Sequence, residues 1–237
     1  MRTCAHEAAR YGHTETLVTI AEAGGREIVL AGDKDGLTCS HKAAMGGRTE
    51  TLLAIARIGG AEALLAGDVN GRTCAHEAAG GGHVDTLRAI EEVGGKQAVV
   101  VRDRYGRSCA HEAALYGYTA ALEFVVGVGG KELLAAADFN GQTCSHEAAG
   151  RGRAETLRMI GRMGGVDSFF AADVHGRTCA HKAAAGGHTE ALVALVEGGG
   201  REVLGMKDKL GKTCAVEAEE GGHRDTAEVI RSLLTRD

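Results

Sequence analysis

A seven-residue phrase, Thr-Cys-Ala-His-Glu-Ala-Ala, opens at Thr3 and returns at Thr38, Thr73, Ser108, Thr143, Thr178 and Thr213 with small changes. Its cysteines, Cys4, Cys39, Cys74, Cys109, Cys144, Cys179 and Cys214, stand 35 residues apart throughout. A strict period within roughly 20 to 50 residues marks a stacked repeat, in which no unit can bury its apolar face alone. The repeats run the length of the 237 residues and leave no room among them for a separate catalytic domain. No enzymatic activity is therefore expected.

Composition says what such a stack must be made of. Aromatic residues are 3% and Trp is absent, while the hydrophobic fraction is an ordinary 44%. The core is thus thin and built from Ala, Leu, Ile and Val, as paired helices allow. Thirty-seven glycines at fixed repeat positions, with no proline, suit short helices ended by glycine turns rather than disorder. The net charge of -5 contains no basic run, so nucleic acid is not an expected partner. No apolar run approaches the ~18 residues of a membrane span, so membrane insertion is not expected. Met1 leads almost at once into the first repeat, so no signal peptide is expected. Neighbouring helices sit roughly 8–10 Å apart, whereas a disulfide needs Cα atoms about 4.4–6.8 Å apart. Seven packed, reduced thiols point to the cytoplasm or another reducing compartment, an organelle after loss of a transit peptide included.

The third unit shows the internal order. Asp68-Val69-Asn70-Gly71 reads as a tight turn, Thr73 as the N-cap of a short helix from about Cys74 to Gly80, and Gly81-Gly82 as its end. His83 leads into a second helix whose apolar face is read as Leu87, Ile90 and Val93. Gly94-Gly95 closes it, and Lys96 to Val101 returns to the next turn.

The string Asp-x-x-Gly-x-Thr-x-x-His-x-Ala-Ala-x-x-Gly-His, seen from Asp173 to His188, resembles the ankyrin repeat. The resemblance implies an all-α solenoid of about seven helix-turn-helix units with projecting β-turn fingers and a concave groove. The units fall at about 1–32, 33–67, 68–102, 103–137, 138–172, 173–207 and 208–237, forming one domain whose last unit acts as a polar C-terminal cap. Three departures stand out. Thr-Cys-Ala-His replaces the family's Thr-Pro-Leu-His, so a thiol and a methyl must fill the space of a proline and a leucine. Two extra residues follow the second helix, where segments such as Lys131 to Leu134 can add a helical turn. The return also lacks the family's frequent asparagine.

The resemblance assigns the repeated histidines, His6 through His181, a structural hydrogen bond to threonine. A Cys/His catalytic pair is disfavoured, because residues two apart on a helix diverge. No Cys-x-x-Cys spacing occurs and the ligand types diverge, so no metal and no cofactor are expected. The nearest approach to a metal site is at His175 or His188. Glu7, Lys42, Glu77, Glu112, Glu147, Lys182 and Glu217 share the position after the histidine. Ankyrin geometry would line them along the groove, as a solvated face or as a charge pattern that selects a partner; Glu77, Glu112, Glu147 and Lys182 are the groove candidates.

Positions that vary between otherwise matching units are where specificity can be written. At the finger tips they include Val69 with Asn70, Arg104 with Tyr105, Phe139 with Asn140, Val174 with His175, and Lys209 with Leu210. The few aromatics gather in the middle units, and Tyr and Arg are favoured interface anchors. Arg104, Tyr105, Tyr116, Tyr118, Phe139, Asn140, Val174 and His175 are therefore the candidate partner-binding residues. The expected function is binding of a protein partner of unknown identity through fingers and groove. The alternative is a permanent subunit of a larger assembly, docked through an uncapped N-terminal face.

Overall fold

Each repeat after the first starts from an aspartate that organises its own turn. In the computed structural model, which describes residues 3–235, the Asp68 carboxylate accepts the N–H groups of Asn70 (2.8 Å) and Arg72 (2.9 Å). Gly71 closes the turn at φ +76°, where a side chain would be strained. The same carboxylate bonds recur at Asp33, Asp103, Asp138, Asp173 and Asp208. These are the projecting fingers.

An extended Thr73 then caps the helix Cys74–Gly80, and His76 at the third position accepts the Thr73 N–H at 3.1 Å. This is a capping box with imidazole in the place of the usual Glu or Gln. The helix is only two turns long and could not persist alone. Its small buried residues let the neighbouring helices close on it: Ala78 and Ala79, like Ala43 and Ala44, are fully buried.

The second helix of the unit, Val84–Gly94, buries Thr86, Leu87, Ala89 and Ile90. Val93 is exposed, which corrects the expected Leu87, Ile90, Val93 face. At ~100° per residue an i, i+3, i+6 series drifts about 60° per step, so its third member has turned well away from the first. Each fully buried leucine here contributes about 1.5–3 kcal/mol of transfer free energy.

The return is helical in each of the first six units. Glu27–Leu30, Glu62–Leu65, Lys96–Val100 and Asp167–Phe170 are short α-helices, while Lys131–Leu134 and Arg201–Gly205 are 3-10 turns. The two extra residues of the period are thus absorbed as a third helical element. The unusual cysteine meets that element. Cys74 Sγ donates to Leu64 C=O at 3.3 Å, Cys179 to Phe169 C=O at 3.3 Å, and Cys214 to Leu204 C=O at 3.2 Å. None of the seven cysteines is in a disulfide.

Among the described residues there are eighteen α-helices and no named strand, only the isolated bridges Arg102 to Ser108 and Lys207 to Thr213. Two compact units can be distinguished, Met1–Ala113 with Ala120–Gly129, and Ala114–Thr119 with Gly130–Asp237. Within each, a helix packs on the helices of its own repeat and of the adjacent one. No described helix is long and apolar enough to cross a membrane.

Candidate functional site

The histidine ladder is buried and fully used. Nδ1 of His41 accepts the Thr38 N–H, and Nε2 faces the Arg72 carbonyl at 2.8 Å. A carbonyl only accepts, so the ring proton sits on Nε2 and the imidazole is neutral. His6 reaches Leu37 C=O (2.9 Å), His76 reaches Arg107 C=O (3.2 Å), His146 reaches Arg177 C=O (3.0 Å) and His181 reaches Lys212 C=O (3.1 Å). Each histidine thus ties its own N-cap to the finger of the next repeat. Burial lowers the pKa of His6, His41, His76 and His146.

The charged ladder after the histidines is not a uniform solvated face. Glu112 is 1% exposed and lies between Arg72 (2.8 Å) and Arg107 (2.9 Å). Glu77 is half-buried against Arg72 at 3.2 Å. Where Leu37 stands in the place of these arginines, the ladder residue is instead Lys42, buried and paired with Asp33 at 2.9 Å. Burial alone would raise the Asp33 pKa, but Lys42 and the N–H groups of Asp35 and Leu37 outweigh it and hold it at about 2. At these three rungs the side chain is matched inside the array, whereas Lys182 follows an arginine, Arg177, that pairs with its own turn aspartate Asp173 at 3.0 Å instead. The pairing with Arg72 and Arg107 removes Glu112 from the groove candidates, since it presents no carboxylate to a partner. Glu147 and Lys182 are half-buried beside Arg151, lining a shallow depression. Farther along, Glu217 is half-buried and its pKa is raised, with desolvation the largest cause.

The finger tips are exposed and connected. In the first unit Arg104 N–H donates to Asn70 C=O at 2.9 Å, Val69 N–H donates to Asp35 C=O at 3.2 Å, and the Tyr105 hydroxyl reaches Asn70 Oδ1 at 3.3 Å. Tyr105 is still 54% exposed. In the second unit Val174 N–H donates to Asn140 C=O at 2.9 Å, which brings Phe139-Asn140 and Val174-His175 side by side. Phe139 is 74% exposed. Tyr116 and Tyr118 stand elsewhere, at the turn between the helices Cys109–Tyr116 and Thr119–Gly129, with ring centroids 6.4 Å apart. Beside them Arg153 donates to Leu115 C=O at 3.3 Å. The eight candidates are thus not one constellation: the tips form one kind of surface and the tyrosine pair another.

Two features lie outside the candidate residues. Leu210, at 78%, is the most exposed of the large apolar residues described. The sequence marks it as a variable tip position, but away from the middle units that hold most of the aromatics. Arg158 gathers Glu155, Glu190 and Glu197; only Glu155 lies within helical reach, so the sequence carries no signal for the other two. No group of three or more His, Cys, Asp or Glu among the described residues is placed to hold a metal ion, at His175 and His188 included.

No protein-family model matches the chain, and no curated protein matches its sequence. Its fold does match solved structures. The human ASB11 ankyrin repeat domain superposes with a TM-score of 0.77 at 21% identity, covering 100% of this chain and 98% of that one. The ankyrin repeat domain of Bcl-3, described as a unique member of the IkappaB protein family, superposes with a TM-score of 0.72 at 19% identity, covering 97% of this chain and 98% of that one. The fold is that of an ankyrin-repeat solenoid.

Proposed function

We propose that this ankyrin-type solenoid is a single non-catalytic interaction domain that binds a protein partner through its finger tips, with the depression at Glu147 and Lys182 as a secondary contact. The observation that carries the reading is the exposure of Tyr105, Phe139 and Val174 on turns where they have no core to fill. Exposed single apolar residues are ordinary. Here, however, Phe139 and Val174 recur on successive fingers of one compact unit, ordered by the aspartate bonds and by the Val174–Asn140 bond, and in the other unit the Tyr105 finger is ordered in the same way against Asn70. A surface fixed before binding loses little conformational freedom when a partner arrives.

The repeated chemical groups support the non-catalytic side of the reading. The histidines are consumed at both nitrogens, and the thiols of Cys39, Cys74 and Cys214 are pushed up to about 12 by burial. Thiolate, the nucleophilic form, is thereby suppressed. The test is affinity capture with the wild-type chain and with Tyr105→Ala/Phe139→Ala. One stoichiometric partner retained by the wild type and lost by the folded variant is expected. Retention of the same proteins by both would reject this surface and favour a permanent subunit held through other faces.

A further inference from the structure

The second unit carries an exposed apolar side chain on each of three successive finger tips: Phe139, Val174 and Leu210. Asn140, His175 and Lys209 lie between them. The tips join into one row, because Val174 N–H donates to Asn140 C=O (2.9 Å) and Lys209 N–H donates to His175 C=O (3.1 Å). A Cβ placed on Gly176 would stand 2.8 Å from the Lys209 nitrogen, so the backbones approach as closely as glycine permits. The row is a stiff apolar edge with a repeat-length period.

Its flank is cationic. The turn carboxylates of Asp138, Asp173 and Asp208 accept the backbone N–H groups of Asn140, His175 and Leu210, and Asp173 is also paired with Arg177 at 3.0 Å. Glu220 is held by Lys212 at 2.6 Å, and Glu217 is half-buried. Lys207 and Lys209 are exposed and bound to no described carboxylate; the Lys209 ammonium donates only to Val174 C=O at 2.8 Å.

Resting on the reading of the finger tips as the interaction surface, we infer that this row receives an acidic amphipathic α-helix of the partner, laid along the tips with apolar residues seven apart. Stacked repeats present equivalent groups at the spacing of packed helices, about 8–10 Å. A helix returns to the same face every seven residues, about 10.5 Å along its axis. A strand cannot match this, because at about 3.3 Å per residue its third residue on points to the opposite face. A polyproline II segment has a suitable period of about 9.3 Å, but its recognition uses aromatic-lined grooves. Phe139 is the only Phe, Tyr or Trp in this row, and the lysines give a proline-rich segment no added attraction. Acidic side chains on the outer flanks of a helix would meet Lys207 and Lys209.

The probe is a synthetic helical peptide of about 21 residues, three heptads, with Leu at one heptad position and Glu on the flanks. Its comparators are a permuted peptide of the same composition, a version with Lys for Glu, and a proline-rich peptide. Binding is followed by fluorescence anisotropy to the full chain, to Phe139→Ala/Leu210→Ala and to Lys209→Glu, after circular dichroism has established that the variants are folded. The heptad peptide is expected to bind at least about tenfold more tightly than every comparator, to weaken about tenfold or more in the double variant, and to lose affinity with salt and in Lys209→Glu. Absence of heptad-peptide binding, equal binding of the permuted peptide, or preference for the lysine or proline-rich peptide would overturn the acidic-helix inference. If any such peptide still loses affinity in the double variant, the finger surface itself survives. Binding that the double variant leaves unchanged overturns both readings.

Discussion

The repeated cysteine and histidine are the residues most easily mistaken for chemistry, and their burial gives them opposite duties. A thiol surrounded by apolar atoms stays protonated, so iodoacetamide at neutral pH is expected to modify the exposed Cys4 quickly in the native protein. Cys39, Cys74 and Cys214, whose pKa values lie near 12, should react only as the chain unfolds. Peptide mass mapping after a short native pulse checks this; rapid native labelling of Cys74 would contradict the packing. The histidines give a pH dependence with a definite sign. Their folded pKa values lie below the ordinary 6.5, so below that pH the unfolded chain binds protons that the folded one refuses. Their stabilisation is present above pH 6.5 and is lost progressively as the pH falls beneath it. Urea midpoints should therefore fall from about pH 6.5 towards 5, and His76→Ala, which orphans the Arg107 carbonyl and costs about 3 kcal/mol, should flatten that slope.

At the scale of the element, the finger and the first helix form one electrostatic unit. Arg72 reaches both Glu77 of its own repeat and Glu112 of the next, and Glu112 also holds Arg107. Removing the shared carboxylate leaves two partly buried guanidinium groups facing each other. Glu112→Gln should lower stability by about 3 kcal/mol, measured by denaturant unfolding. Glu77→Gln, whose carboxylate is less buried and engages a single arginine, should cost less. An equal loss from both would mean that full burial between two arginines contributes nothing beyond a half-buried single pair. The turn itself depends on its aspartate, whose carboxylate accepts two backbone N–H groups. Asp68→Ala should cost about 1–2 kcal/mol.

At the scale of the molecule, the contacts within each unit run between adjacent repeats, so a local defect has local reach. Leu157 is fully buried in the helix Ala154–Arg162, which packs on Thr189–Glu197. Leu157→Ala should cost about 2–5 kcal/mol. Native-state hydrogen exchange should accelerate chiefly in its own helix and in the helices packed on it. Uniform acceleration throughout the chain would show instead that the array opens as a single cooperative body.

The period of 35, the Thr-Cys-Ala-His phrase and the glycine spacing were sufficient for the fold class and for the first and second helices, because in a repeat each local signal is stated seven times. The identity of the tip residues as variable and exposed was legible for the same reason: a position released from the packing rule stops repeating. Three things were decided only by the tertiary structure. Val93 left the core because helical rotation, not apolar character, selects the buried face. The cysteine found its partner in the carbonyl of the preceding third helix, a contact spanning 10 residues between Leu64 and Cys74. Glu112 became an internal ion-pair hub rather than a groove residue, because its partners come from two different repeats. A one-dimensional pattern records what each repeat needs for itself; what one repeat asks of the next appears only when they are stacked.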